Sequence, residues 1–137
     1  MTERYTGSVG IIAVRDVIKT SKILTKLLDW KSVHGGSEFD ILINKQNIPA
    51  LMLHDFDAHE HERFKGIKRK SKGIGQSFYV FVEDIKKAYQ MAKRRKLDIV
   101  EALFLNQNSG VREFTFCLEE GYQFSVCESD EWLYYRP

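Results

Sequence analysis

The densest group of residues able to do chemistry lies in the stretch "HDFDAHEHE", which holds His54, Asp55, Asp57, His59, His61 and Glu62. Imidazole and carboxylate are the donors of a zinc site, and a loop folded back over His54 would bring His59 and His61 to it. The spacing matches no zinc pattern, however, and the composition is that of a connecting loop, so the stretch reads as a solvated acidic-histidine loop. The two cysteines, Cys117 and Cys127, read as reduced, partly buried thiols, and neither has a histidine close in sequence to activate it. Two basic runs, residues 63–72 and "KRRK" at 93–96, carry charge that suits a phosphate backbone, but no groove-entering helix or base-stacking pattern accompanies them. With 21 basic against 19 acidic residues, the net charge of +2 is too balanced to indicate a nucleic-acid partner.

The remaining candidates are scattered, so a fold must gather them. Residues 8–14, "SVGIIAV", are small and β-branched and read as a strand. Asp16 suits a helix N-cap, and Val17, Ile18, Ser21, Leu24, Leu27 and Leu28 then recur at helical spacing. Short strands follow at 31–34, 38–43 and 50–55, separated by Gly35-Gly36 and by "NKQNIP". In "EFDILI" (38–43) acidic and apolar residues alternate, the pattern of a half-exposed strand. A second series repeats the order: a strand at 76–82, Asp84 capping a helix to about Arg95, then strands at 98–107, 111–118 and 122–128.

This order predicts a single α+β domain over residues 1–137, with modules 8–55 and 75–128, a linker at 56–74 and an aromatic tail at 129–137. Two βαβββ modules would form a curved mixed sheet around a cleft, with each helix on an outer face. At 137 residues and 43% hydrophobic side chains the chain can bury such a core. No apolar run is long enough to span a membrane, and the N-terminus reads as a strand lead-in rather than a signal peptide, so a cytoplasmic protein without a membrane partner is expected.

Strand alternation assigns the faces. Phe78, Val80 and Val82 should meet the second helix, leaving Ser77, Tyr79 and Phe81 toward the cleft. By the same reading Val9, Met52, His54, Glu113, Thr115, Gln123, Ser125 and Cys127 face inward. His54, Tyr79, Phe81, Glu113, Thr115 and Gln123 form the expected ligand-binding set, while no catalytic residue can be singled out. Two readings stand for His54: a satisfied histidine at the rim, or a group that orients a ligand or acts as a general base. Tyr79 either fills the cavity or stacks on a planar ligand and donates a hydrogen bond. Glu113 in a cleft needs a partner, and both Arg112 and a cationic ligand fit that role. In the tail, Trp132, Tyr134 and Tyr135 are expected to close a sheet edge, cap the cleft or pack on a second subunit.

With these elements in place, the chain resembles the vicinal oxygen chelate superfamily, the group of glyoxalase I, bleomycin-resistance proteins, fosfomycin-resistance enzymes and extradiol dioxygenases. The resemblance runs over about residues 8–128 and rests on "IIAVRDV", "FYVFVEDIKKAYQMAKRRKLDIV" and "VREFTFCLEEGYQFSVCE". The usual acidic-Pro-acidic-Gly turn has become Leu118-Glu119-Glu120-Gly121. Alignment with the family's metal ligands places them at Val9, Met52, Ser77 and Ser125, none of which is a credible ligand; a one-residue slip would recover only Gln76. The resemblance therefore implies a metal-free binding protein without cofactor, sequestering an aromatic or amphipathic small molecule, and a homodimer. The alternatives it leaves are a lyase or dioxygenase-like enzyme with a non-standard metal site, and a structural or regulatory protein with a vestigial cleft.

Overall fold

A computed structural model describes residues 7–56, 64, 66–73, 75–108 and 110–129. The elements run β1 (Gly10–Val14), α1 (Val17–Leu28), β2 (Lys31–Ser32), β3 (Phe39–Ile43), β4 (Pro49–Asp55), a 3-10 turn at Ile67–Arg69, β5 (Ser77–Val82), α2 (Ile85–Arg94), β6 (Asp98–Leu105), β7 (Arg112–Cys117) and β8 (Gln123–Glu128). They divide into two compact units, residues 1–70 and 71–137. Each unit is a βαβββ module with one four-stranded mixed sheet, ordered β1-β4-β3-β2 in the first and β5-β8-β7-β6 in the second. In both, the first and last strands pair in parallel and the other pairs are antiparallel.

Both helices begin as their sequences dictate. The Asp16 carboxylate accepts the Lys19 N–H at 3.0 Å, and the Asp84 carboxylate accepts the Lys87 N–H at 3.0 Å. Each satisfies a donor that the first turn leaves without an intrahelical partner. Asp29 ends α1 in the left-handed region at φ 61°.

The core of the first module is aliphatic: Val14, Val17, Leu24, Leu42, Leu51 and Leu53 are all but sealed from solvent. The buried stripe of α1 is Val17, Thr20, Ser21, Leu24, Leu27 and Leu28. Ile18, expected on that stripe, is 46% exposed instead, because it stands about 100° round the helix from Val17. A larger correction concerns β3. Its two sides do differ in burial, as the acid–apolar alternation predicts, but the buried side is the one that holds the acid: Asp40 is 1% exposed and shares the helix-facing side with Leu42. Its carboxylate accepts the Ser21 hydroxyl at 2.8 Å, the Ser32 hydroxyl at 2.6 Å, and the N–H groups of Gly35 and Ile41 at 2.8 Å each. A longer bond comes from the His34 N–H at 3.3 Å. Burial alone would raise the carboxyl pKa, but these donors outweigh it and hold it below the usual range. Asp40 thus ties α1, β2 and the glycine turn together.

The second module packs aromatic rings where the first packs leucines. Phe78 stacks on Phe124 at 5.0 Å between ring centroids, Phe124 on Phe116 at 5.3 Å, and Tyr89 of α2 lies 5.0 Å from Phe114. The Tyr89 contact fixes which face of this sheet α2 covers. The lead-in to β5 is locked against the β7–β8 turn through two glycines. A Cβ on Gly73 (φ 78°) would collide with the Gly121 carbonyl, and one on Gly121 would sit 2.6 Å from the Lys72 carbonyl oxygen. Observed strands are shorter than the sequence suggested at β2, which spans two residues, and at β6, which stops at Leu105 before the Asn106 turn.

Candidate functional site

In the second module, the face turned away from α2 carries three rows of side chains set by the strand register. Ser77 stands beside Gln123, which is opposite Cys117; Tyr79 stands beside Ser125, opposite Thr115; and Phe81 stands beside Cys127, opposite Glu113. On β6, Glu101 pairs with Thr115 and Phe104 with Glu113, across two irregularities in register. Those irregularities hid the β6 contribution from the sequence, since a bulge resets which residues share a face.

The middle of this face is polar and buried. Glu113, Thr115, Ser125 and Cys127 are all shielded from solvent, Glu113 being 6% exposed. One Glu113 oxygen accepts from the Asn106 amide at 2.9 Å, and the other accepts from the Cys127 thiol at 3.0 Å. The Thr115 and Ser125 hydroxyls bond each other at 2.9 Å. Burial, then the hydrogen bond to Glu113 and its charge, push the Cys127 thiol up to about 12. It therefore stays protonated, as a donor and not a nucleophile. Both cysteines are free, and burial also raises the Cys117 thiol.

Tyr79 stands over this floor with its side chain 60% exposed. The Glu113 charge is the largest cause of a raised phenol pKa, followed by burial, by the Cys127 thiolate that forms only at high pH and by the Glu101 charge, while a hydrogen bond with Ser125 opposes them. The phenol remains neutral and available to donate. Phe81 is half-buried, and Gln123 and Ser77 are exposed beside Gly73, Gly75 and Gly121 along an open depression.

Of the sequence-predicted residues, the structure brings Tyr79, Phe81, Glu113, Thr115 and Gln123 onto this one face, with Ser77 and Ser125. His54, Val9 and Met52 belong to the first module. There His54 is 4% exposed, with its ring 5.3 Å from Phe64 and 6.4 Å from Phe39. Its Nδ1 lies 2.7 Å from the Asp55 carbonyl oxygen, which can only accept, so the proton sits on Nδ1. His59, His61 and the tail residues Trp132, Tyr134 and Tyr135 lie outside the described residues. Arg112, one of the two partners that suit Glu113 by sequence, approaches Glu128: its Nε is 3.6 Å and its backbone N–H 2.9 Å from the Glu128 carboxylate. The missed residue is Asn106. Its side chain caps its own turn by accepting the Asn108 N–H at 2.9 Å, so the "NQNSG" composition was the available signal.

Comparison with solved structures decides the fold. A genomically encoded fosfomycin resistance protein from Listeria monocytogenes matches 94% of this chain and 97% of its own at a TM-score of 0.67 and 9% identity. A member of the glyoxalase/bleomycin resistance protein/dioxygenase superfamily from Sphaerobacter thermophilus matches 90% and 98% at 0.62 and 17% identity. The chain has the vicinal oxygen chelate fold. A protein of unknown function from Agrobacterium tumefaciens shares it at a TM-score of 0.64, 20% identity, and 95% and 97% coverage. No protein-family model matches the sequence. No curated protein matches it either.

The resemblance assigns the ligands of a divalent metal to Val9, Met52, Ser77 and Ser125, and their donor chemistry decides whether such an ion fits. Val9 offers no donor and Met52 only a thioether, between Ile11 and Ile41 in the strand register. Ser77 and Ser125 offer neutral hydroxyls, and that of Ser125 is engaged by Thr115. Among the described residues no group of three or more His, Cys, Asp or Glu is placed to hold a metal ion. This donor set does not fit a divalent ion that prefers imidazole and carboxylate. Among the described residues no helix is long and apolar enough to cross a membrane.

Proposed function

We propose that the chain is a metal-free small-molecule binding protein that takes up an aromatic or amphipathic compound on the face of the second sheet turned away from α2. The observation that carries this reading is the exposed Tyr79 ring standing over the buried polar floor of Glu113, Thr115, Ser125 and Cys127. An exposed aromatic surface supplies transfer free energy to a ligand that covers it, at roughly 25 cal/mol for each Å² removed from water, and a few fixed polar groups set the orientation. The protonated thiol of Cys127 and the paired hydroxyls supply hydrogen bonding without a nucleophile, which suits reversible binding better than turnover.

Metal analysis of untagged protein, together with tyrosine-fluorescence titration against a panel of aromatic compounds, tests the proposal. Saturable binding by metal-free protein, weakened about tenfold or more by Tyr79→Ala, is the expected outcome. Stoichiometric metal with a metal-dependent reaction rate would overturn it in favour of an enzyme. We further infer a homodimer, as the resemblance to small single-domain members suggests; the exposed Val100 and Leu105 on the edge strand β6 are consistent with a partner there. Sedimentation equilibrium giving a monomer at micromolar concentration would refute the pairing.

A further inference from the structure

Among the described residues Glu113 is the one buried carboxylate on the binding face, and none of them sets a cation against it. Its partners among the described residues are the Asn106 amide and the Cys127 thiol, both neutral donors. The adjacent Arg112 is directed to Glu128. On β7 the alternation of side chains puts Arg112 on the α2 side of the sheet and Glu113 on the other. Burying a carboxylate without a counter-ion is costly, and two neutral donors recover only part of its lost hydration. The groups around it deepen the imbalance. Both carboxylates that act on the Tyr79 hydroxyl, Glu113 and Glu101, raise its pKa. The apolar surface beside this negative spot is aromatic: Tyr79 diagonally, Phe104 directly opposite on β6, and Phe81 beyond Cys127 in the same row. Phe104 and Tyr79 both keep exposed ring surface.

We propose that the ligand of this face carries a protonated amine joined to an aromatic body, the ammonium seated against Glu113 and the ring laid on Tyr79 and Phe104. The reading rests on the small-molecule function proposed above and names its ligand class. An ammonium supplies the missing counter-charge and donates to the carboxylate lone pairs that Asn106 and Cys127 leave open. The neighbouring ring faces add cation–π attraction for the same charge. A carboxylate-bearing ligand of the same shape would meet Glu113 and Glu101 with like charge and be rejected.

Three probes built on one phenylethyl body separate charge from shape: phenethylammonium, 2-phenylethanol and hydrocinnamate, each titrated into the full nitrogen-labelled chain and followed by backbone amide shifts. Phenethylammonium is expected to move the amides of Tyr79, Glu113 and Thr115 and to bind at least about tenfold more tightly than hydrocinnamate. Glu113→Gln, nearly identical in shape and still able to accept from Asn106, is expected to remove most of that preference while leaving the alcohol unaffected within about twofold. Glu101→Gln, at an exposed position where folding is not at stake, should lower the preference by only about twofold. Equal binding of all three probes at these amides would overturn the charge assignment and leave the binding function standing. Shifts at none of these amides with any probe would overturn both. A preference for the ammonium that survives Glu113→Gln would overturn the role of Glu113.

Discussion

Asp40 and Glu113 occupy matching places in the two modules, each the second residue of the strand next to the module's last strand, yet they face opposite ways. Asp40 points at α1 and meets hydroxyls of two segments and backbone N–H groups of a turn. Glu113 points away from α2 and meets one amide and one thiol. A carboxylate surrounded by donors from several elements is a structural tie, because every element loses a partner if it goes. A carboxylate given few neutral donors and aromatic neighbours is left with capacity for something from outside. The same topology thus holds one buried acid for folding and, by our proposal, the other for binding.

Removing the tie should have the largest effect. Asp40→Ala leaves the Ser21 and Ser32 hydroxyls and the Gly35 N–H without their acceptor, and a loss of about 3 kcal/mol of stability is expected from urea denaturation. Glu113→Gln should change stability by less than about 1 kcal/mol in either direction, since it removes an uncompensated charge and keeps an acceptor. Similar losses from both substitutions would erase the contrast.

The tie also sets a pH dependence. The Asp40 pKa is depressed in the folded protein, so its stabilisation is fully present above the unfolded carboxylate value, about 3.9. It is lost as pH falls from there through the lower folded value. Acid unfolding followed by circular dichroism should therefore be shallower across that window in Asp40→Asn, already destabilised at neutral pH, than in the wild type. An unchanged slope would show that other carboxylates carry the acid response.

Smaller effects sharpen the picture of how the binding face is held. Gly73→Ala forces the β5 lead-in away from Gly121, and a loss of about 2 kcal/mol is expected, with Tyr79 and Gln123 amide shifts disturbed. Asp84→Ala removes the α2 cap on the far face of the same sheet and should cost about 1 kcal/mol in thermal melts without altering ligand binding. Altered binding in Asp84→Ala at unchanged temperature would mean that α2 communicates with the opposite face.

Much of the fold was legible in the residues because it rests on local physics. Asp16 and Asp84 announce helix starts wherever the chain places them, since a cap needs only the next turn. The alternation of Phe114 and Phe116 with Glu113 and Thr115 reports two sheet faces, and the register confirms which residues share each. The repeat of strand, helix and three strands follows from the same periodicities. The partners of the buried acids were not legible. Whether an acid in an alternating strand turns to water or to a helix depends on hydroxyls 19 and 8 residues away, Ser21 and Ser32, which only folding brings to Asp40. Likewise Arg112 sits next to Glu113 in sequence and pairs across the sheet with Glu128 instead, because successive side chains on a strand leave by opposite faces. Caps and periodicity are read within a few residues of one chain segment. The satisfaction of a buried charge is a property of everything packed around it, and only the tertiary structure assembles that neighbourhood.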